Sequence, residues 1–166
     1  MSEKKALFDA LVVQVEAQLS ALIRRQQDTA AGATHEESRS EHAKDTRATE
    51  QSYLARGLAE RVEESRRTVA ALKHLPLLRF EAGDPIATTA LVTLEVETET
   101  GTTKTERWFV VPGAGGLELD GTESGQTRTV TPVSPLGKSL LGLSSGDEGE
   151  VRTPGGRRAF EVTEVS

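Results

Sequence analysis

The sequence SPLGKSLLGLSSGDEGEVRTPGGRRAFEVTEV, which spans residues 134–165, decides the fold of the second half of the chain. Ser134 is a favourable helix N-cap, and Pro135 suits the first helical position because its fixed φ is already helical. A short helix is therefore predicted over residues 135–141. Gly142 would end this helix, because glycine readily adopts the left-handed conformation that follows a helix.

The remainder of this stretch predicts a β-hairpin. Pro154-Gly155-Gly156 favours a tight turn. The segments on either side of the turn, residues 150–153 and 157–165, alternate in polarity as strands do. The chain therefore continues from the short helix into two antiparallel strands.

Upstream of this stretch, the pattern also indicates strands. Apolar residues alternate with Thr and Glu over residues 90–99, which is typical of a half-buried strand. Gly101 marks a turn, and residues 106–111 are interpreted as the return strand. Residues 117–133 are interpreted as two short strands or extended segments. Residues 79–166 are thus predicted to form a small antiparallel β domain with one short helix.

The first half of the chain has a helical pattern instead. Residues 3–27 contain no Gly or Pro, and their apolar residues recur at spacings of three and four, namely Leu7, Leu11, Val15, Leu19 and Leu22. Residues 31–34 interrupt this pattern. A second helical pattern follows and ends before Pro76. An antiparallel coiled-coil hairpin is predicted over residues 1–78, with its tip near residues 31–46.

Two alternatives remain open for this half. The polar residues 34–50 could instead form a flexible linker between packed helices. An exposed apolar stripe could also pair two chains, although we expect a monomer. With the β domain, the prediction is an α+β fold.

The charge and composition of the chain limit the classes of partner that it can bind. The net charge is -6, and it is unevenly distributed: residues 81–166 carry 7 basic and 14 acidic residues. This half is unsuited to duplex DNA, whose phosphates require Lys and Arg, and fits a basic protein surface better. The absence of cysteine excludes disulfides and thiolate metal sites, in keeping with a cytoplasmic protein. Because Asp9 and Glu16 interrupt the first apolar segment, we expect neither a signal peptide nor a membrane partner.

The predicted tip is rich in carboxylates. Glu37, Glu41 and Asp45 lie there, beside His35 and His42. If the second helix begins near Glu41, Glu41 and Asp45 share one helical face. Clustered carboxylates can hold Mg²⁺, and the simpler alternative is a solvated, charged hairpin end.

These features together resemble the Gre transcript-cleavage factors of bacteria. The C-terminal half has the spaced features Ser134-Pro135, Gly137, Leu140-Leu141-Gly142, Gly146-Asp147, Thr153-Pro154-Gly155-Gly156 and Phe160-x-Val162-x-x-Val165. Residues 41–63, which begin Glu41-His-Ala-Lys-Asp, are similar to the second arm of the Gre hairpin.

The resemblance implies a coiled-coil hairpin joined to an FKBP-like domain. It further implies that the hairpin enters the secondary channel of bacterial RNA polymerase. There, two tip acids three positions apart share the polymerase Mg²⁺, and the polymerase active site cleaves the backtracked transcript. The chain would then be an accessory factor, with no enzymatic activity and no cofactor of its own, and would contact nascent RNA only indirectly. The C-terminal domain would dock on the polymerase, with Ser134, Pro135 and Gly137 as candidate contacts, unless these three residues serve only the local conformation.

In this sequence the second tip acid matches Glu41, whereas the first matches Ser38. Serine has no carboxylate, so Glu37 or Asp45 would have to substitute. The resemblance therefore implies an elongation factor acting on backtracked or paused complexes. The alternative is a secondary-channel regulator that does not stimulate cleavage. Two further hypotheses are a prolyl isomerase or chaperone, which rests on fold analogy alone, and a coiled-coil adaptor that binds some other basic protein.

Overall fold

The fold is that of a computed structural model, which describes residues 2–36, 44–98, 101–120 and 125–166. The chain divides into two compact units. The first, here called the helical unit, is Val13–Ala70. The second, here called the β unit, combines Met1–Val12 with Ala71–Ser166.

Two long helices account for most of the first half. Helix α1 spans Ser2–Glu36 and helix α2 spans Lys44–Lys73. Helix α1 continues through Gly32, so the interruption of the apolar pattern at residues 31–34 does not end the helix. One glycine costs a propagating helix only about 1 kcal/mol, and its two alanine neighbours favour the helix. Helix α2 ends before Pro76, as predicted.

The helical unit buries few side chains. Among the side chains that the structure describes in this unit, the hydrophobic residues that are buried are Val15, Val62 and Val69. The exposed surface of α2 includes Tyr53 and Leu54, each about two-thirds exposed. This distribution is that of slender helices with one narrow apolar stripe.

Helix α1 is long and apolar enough to cross a membrane, judged by length and composition over Glu3–Gly32. The same composition arises in core helices of soluble proteins, and Leu7 and Leu11 are indeed buried within the protein. The helix is thus weak evidence for a membrane span.

The β unit contains one six-stranded sheet and a short helix. The strands follow the spatial order β3-β4-β2-β1-β6-β5. Their bounds, with that of helix α3, are β1 Leu91–Glu97, β2 Thr103–Val110, β3 Glu118–Leu119, β4 Thr127–Val130, α3 Pro135–Leu140, β5 Glu148–Thr153 and β6 Gly156–Val165. The predicted helix, hairpin and strands are all present, so the predicted α+β class is confirmed.

One strand pairing departs from the antiparallel pattern. Strand β4 lies parallel to β2, with Arg107 opposite Thr127 and Val110 opposite Val130. The other pairings in the sheet are antiparallel. Parallel pairing requires the chain to return to the end of the sheet at which β2 begins. The segment between β2 and β4 is long enough to do so, and it includes β3.

The two faces of the sheet are covered by different elements. Val92, Leu94 and Phe160 point to the face that packs with Leu140 of α3. Phe109 points to the opposite face, since successive residues of a strand alternate. There it meets Phe8 of α1 edge to face, with ring centroids 6.4 Å apart.

The first turn of α1 is anchored to the β unit by a buried lysine. The Lys4 ammonium donates to the carbonyl oxygens of Leu78 and Ser166, at 2.7 and 2.9 Å. It also lies 4.6 Å from the centre of the Phe80 ring. Burial lowers the pKa of Lys4 to about 8, because the charged form loses its hydration. The pattern of the sequence does not indicate this anchor.

Candidate functional site

The predicted acidic tip lies largely outside the described residues. Glu37, Ser38 and Glu41 fall between α1 and α2, and Asp45 is the second residue of α2. Within the described ranges, no group of three or more His, Asp or Glu side chains could hold a metal ion. The metal-binding roles of Glu37, Glu41 and Asp45 therefore stay predictions.

The predicted docking residues, by contrast, lie within the described part of the chain. Ser134 is the N-cap of α3: its Oγ accepts from the Gly137 N–H at 3.0 Å and donates to the Thr131 carbonyl at 2.8 Å. Pro135 occupies the first turn, where its missing N–H costs nothing. The N-cap prediction is thus confirmed.

Gly137 is required by a close backbone approach. A Cβ on this residue would lie 1.9 Å from the Thr131 carbonyl oxygen and 2.8 Å from its carbon. These are backbone atoms, so a side chain here would displace the loop that precedes α3. Ser134, Pro135 and Gly137 therefore each have a role in folding, and their contact with a partner stays a prediction.

A cleft of about 560 Å³ opens beside the start of α3. The β5–β6 hairpin forms its other side, and its lining is mainly apolar. The residues that line it are Trp108, Gly115, Gly116, Thr129, Val130, Thr131, Ser134, Pro135, Leu136, Val151, Arg152, Thr153, Pro154 and Arg158. Ser134 and Pro135 thus belong to a surface with the shape and polarity of a binding site.

Arg152 and Arg158 are the charged residues among those that line this cleft, and none of the described lining residues is acidic. Val151 lies opposite Arg158 and Arg152 lies opposite Arg157, so the Arg152 side chain points to the other face of the sheet and Arg158 supplies the charge of the cleft. Arg158 donates from Nη2 to Glu106 Oε1 at 2.8 Å. The Trp108 indole N–H donates to the other Glu106 oxygen at 3.3 Å. Lys104 lies 3.8 Å from the same carboxylate. Glu106 is thus a largely buried carboxylate that accepts hydrogen bonds from both Arg158 and Trp108, two residues that line the cleft.

Sequence reasoning missed Glu106, Trp108 and Arg158. They lie on β2 and β6, which are not adjacent in the sheet, so no local spacing connects them. The prolyl isomerase hypothesis gains nothing from this cleft. Of the described residues that line it, Trp108 is the only aromatic, whereas isomerase pockets of FKBP-like folds have many.

Comparison with known proteins assigns the family. The family model "Transcription elongation factor, GreA/GreB, C-term" matches residues 115–166. Transcription elongation factor GreA of Syntrophus aciditrophicus is 33% identical over 126 residues, which is 76% of this chain and 70% of that protein. GreA of Jannaschia sp. is 52% identical over 64 residues, covering 39% of this chain and 37% of the relative.

Among solved structures, the crystal structure of GreA factor homolog 1 (Gfh1) of Thermus thermophilus covers 93% of this chain and 94% of its own, at 22% identity and a TM-score of 0.40. The extent of the match to GreA of Syntrophus aciditrophicus, together with the matched C-terminal family model, establishes the relationship. The chain belongs to the GreA/GreB family of transcription elongation factors.

Proposed function

We propose that this protein binds bacterial RNA polymerase through its secondary channel and acts on backtracked or paused elongation complexes. The observation that carries the proposal is the GreA relationship over 126 residues, in a chain whose Glu37 and Glu41 fall between two long helices. The polymerase is cytoplasmic, and we expect the same location for this factor, acting as a monomer.

The proposed chemistry is hydrolysis of the transcript in the polymerase active site. The two Mg²⁺ ions of that site would together generate the attacking hydroxide and stabilise the leaving oxygen, and the hairpin tip would help to hold the second ion. Glu41, with Glu37 or Asp45, would contribute carboxylate oxygens to that ion, which prefers oxygen ligands. The chain itself would be an accessory factor without a cofactor of its own, and it would contact nascent RNA only indirectly.

Docking of the β unit would hold the tip in place. The cleft beside Ser134 and Pro135 is the candidate surface for that contact, because its lining is mainly apolar. Duplex DNA is a poor partner for the β domain, because residues 81–166 carry twice as many acidic as basic residues.

A second function is favoured by one residue. Ser38 stands where the resembled factors have their first tip acid, and a hydroxyl cannot replace a carboxylate as a charged Mg²⁺ ligand. The protein would then occupy the channel without stimulating cleavage, and would act as a regulator or inhibitor of the polymerase.

The experiment that separates the two is transcript cleavage by a stalled, backtracked RNA polymerase complex, with and without the whole 166-residue protein. Under the first function, cleavage accelerates with the wild type and is lost in Glu41→Ala. The parallel variants Glu37→Ala and Asp45→Ala then identify the second ligand. Under the second function, the wild type binds tightly and competes with an active Gre factor, yet cleavage is not accelerated.

Ser38→Asp sharpens this test because it introduces an acid three positions before Glu41. We expect cleavage stimulation to rise at least about tenfold over the wild type, as expected when a ligand to the transition-state metal is regained. Ser38→Asn is the matched control, similar in size but without charge. Absence of polymerase binding by the wild type would refute both functions.

A further inference from the structure

We propose that Lys4 is a modification site, whose amine lies at a cavity of the β unit and accepts an acyl group from a small acyl phosphate. Lys4 is the buried charged residue among those that the structure describes. This inference goes beyond the proposed function and does not depend on polymerase binding.

The cavity beside Lys4 provides room for the acyl donor. Its volume is about 420 Å³, and the residues that line it all belong to the β unit. Leu78, Phe80 and Leu91 supply apolar side chains to its wall. A cavity of about 150 Å³ already admits a benzene-sized molecule, so a two-carbon acyl phosphate fits here beside the amine.

Two backbone carbonyls hold the amine in one orientation. Lys4 Nζ donates to the carbonyl oxygens of Leu78 and Ser166, at 2.7 and 2.9 Å. An uncharged amine has two N–H bonds and one lone pair, so it can keep both hydrogen bonds while the lone pair attacks an acyl carbon. The nucleophile is therefore positioned before the donor binds, unlike the amine of a freely rotating surface lysine.

Burial also increases the fraction of this amine that is uncharged. It lowers the pKa of Lys4 to about 8, against 10.5 for an unperturbed lysine. Near pH 7.5 about a quarter of such amines are uncharged, compared with about one in a thousand for an unperturbed lysine. Only the uncharged amine is nucleophilic, and desolvation in an apolar site is a known way to activate a lysine.

Arg79 favours a donor with a phosphate group. Its side chain is exposed, lines the same cavity and forms no ion pair within the described part of the chain. Two acidic residues also line the cavity, but Glu3 pairs with Arg107 at 2.8 Å, and Glu81 is exposed, so water screens its charge. The guanidinium is thus available to bind a phosphate through two hydrogen bonds.

The reaction is a simple acyl transfer. The Lys4 nitrogen forms a bond to the acyl carbon, and the bond from that carbon to the bridging oxygen breaks. The bridging oxygen leaves with its electron pair as part of phosphate, which also takes the proton that the nitrogen loses. The product is an uncharged amide with one N–H, so it can donate to only one of the two carbonyls, and its attraction to the Phe80 ring is lost. Acylation therefore weakens the anchor of the first turn of α1.

The test compares two adjacent lysines in one molecule. Lys5 follows Lys4 directly, but its side chain is 57% exposed and pairs with Asp9. The whole protein would be incubated with acetyl phosphate near pH 7.5, and fragmentation mass spectrometry would give the rate of acetylation at each lysine. Lys4 should react at least about threefold faster than Lys5, despite its burial. In concentrated urea the two rates should agree within about twofold, because unfolding removes the cavity and the desolvation.

A variant of Arg79 tests the choice of donor. Arg79→Gln should slow the acetylation of Lys4 by acetyl phosphate at least about threefold, because the phosphate loses its cation. The same variant should react with acetic anhydride, which is uncharged, within about twofold of the wild-type rate. Arg67→Gln, an exposed arginine of α2 outside the cavity, is the matched control and should leave both rates unchanged.

Each outcome supports or overturns the inference. If Lys5 reacts as fast as Lys4 in the folded protein, or if Lys4 keeps its advantage in urea, the fold does not make Lys4 a modification site. Equal losses with both reagents in Arg79→Gln would show that Arg79 does not select a phosphate donor. Protein acetylated at Lys4 should have a lower melting temperature than untreated protein, whereas an unchanged value would contradict the loss of the anchor.

Discussion

The two units of this protein bury very different amounts of apolar surface. Of the hydrophobic residues that are buried within the described ranges, all but Val15, Val62 and Val69 lie in the β unit. The β unit is therefore stabilised by contacts between residues distant in sequence, and the helical unit mainly by local hydrogen bonds and one narrow seam. The comparison teaches that equivalent substitutions should have unequal effects in the two units.

The largest expected contrast is between core truncations. Phe109 is completely buried and contacts Phe8 edge to face, so Phe109→Ala should lower the free energy of unfolding by about 3–5 kcal/mol. Val62→Ala in the helical unit should cost about 1–2 kcal/mol, the burial of the methyl groups removed. Urea denaturation, monitored by circular dichroism, measures both losses in the free energy of unfolding. Similar costs would show that the helical unit has a core as extensive as that of the β unit.

Two Gly→Ala substitutions should change the free energy of unfolding in opposite directions. Gly137→Ala forces a methyl group into the Thr131 backbone and should cost about 3 kcal/mol. Gly57 lies within α2, and a Cβ added to it would have no atom within 4 Å among the described neighbours. Gly57→Ala should therefore raise the free energy of unfolding by about 0.5–1 kcal/mol through helix propensity. Thermal denaturation distinguishes the two, and stabilisation by Gly137→Ala would contradict the close approach seen here.

The pH dependence of stability should reveal the buried lysine of the β unit. Lys4 has a pKa of about 8 in the folded protein, against 10.5 for an unperturbed lysine. Below pH 8 the amine is charged in both states, and folding carries the full cost of removing the ammonium from water. Between pH 8 and 10.5 the unfolded state binds more protons, so the free energy of unfolding should rise with pH, by about 1–2 kcal/mol. Lys4→Met should remove this rise, and an unchanged profile in that variant would assign the titration to other groups.

The smallest effect should come from the cap of α3. Ser134→Ala removes the acceptor of the Gly137 N–H and should lower the free energy of unfolding by about 1 kcal/mol. Ser134→Asp keeps an acceptor at this position and serves as the control. If both variants bind polymerase as the wild type does, Ser134 acts only in folding. Weakened binding by a variant that retains its stability would favour direct contact.

The success of sequence reasoning also differs between the units. The N-cap at Ser134, the turn at Pro154 and the stop before Pro76 were predicted correctly, because each depends on the backbone preferences of one or two residues. The interruption of the apolar pattern at residues 31–34 does not mark the end of α1, because neighbouring helical residues outweigh one glycine.

Long-range features could not be predicted in the same way. The parallel pairing of β4 with β2 depends on the end of the sheet at which the chain re-enters it. Alternation in polarity does not indicate the direction of a strand. Likewise, the spacing of α1 residues marks an apolar stripe but does not indicate that Phe8 meets the sheet or that Lys4 donates to the Leu78 carbonyl. The acidic tip could be proposed from the residue types alone, whereas Glu106 and Arg158 required the folded sheet to bring them together.

The contact of Lys4 with Ser166, 162 positions apart, has a consequence for biosynthesis. The first turn of α1 emerges from the ribosome long before the sheet, so Phe8 lacks Phe109 until β2 has been made, and Lys4 lacks the Ser166 carbonyl until β6 has been completed. Early in translation the nascent chain presents an unsatisfied amphipathic helix, and a chaperone or a neighbouring nascent chain can occupy it. A product truncated before β6 would therefore lose the anchor of α1 as well as the strand itself.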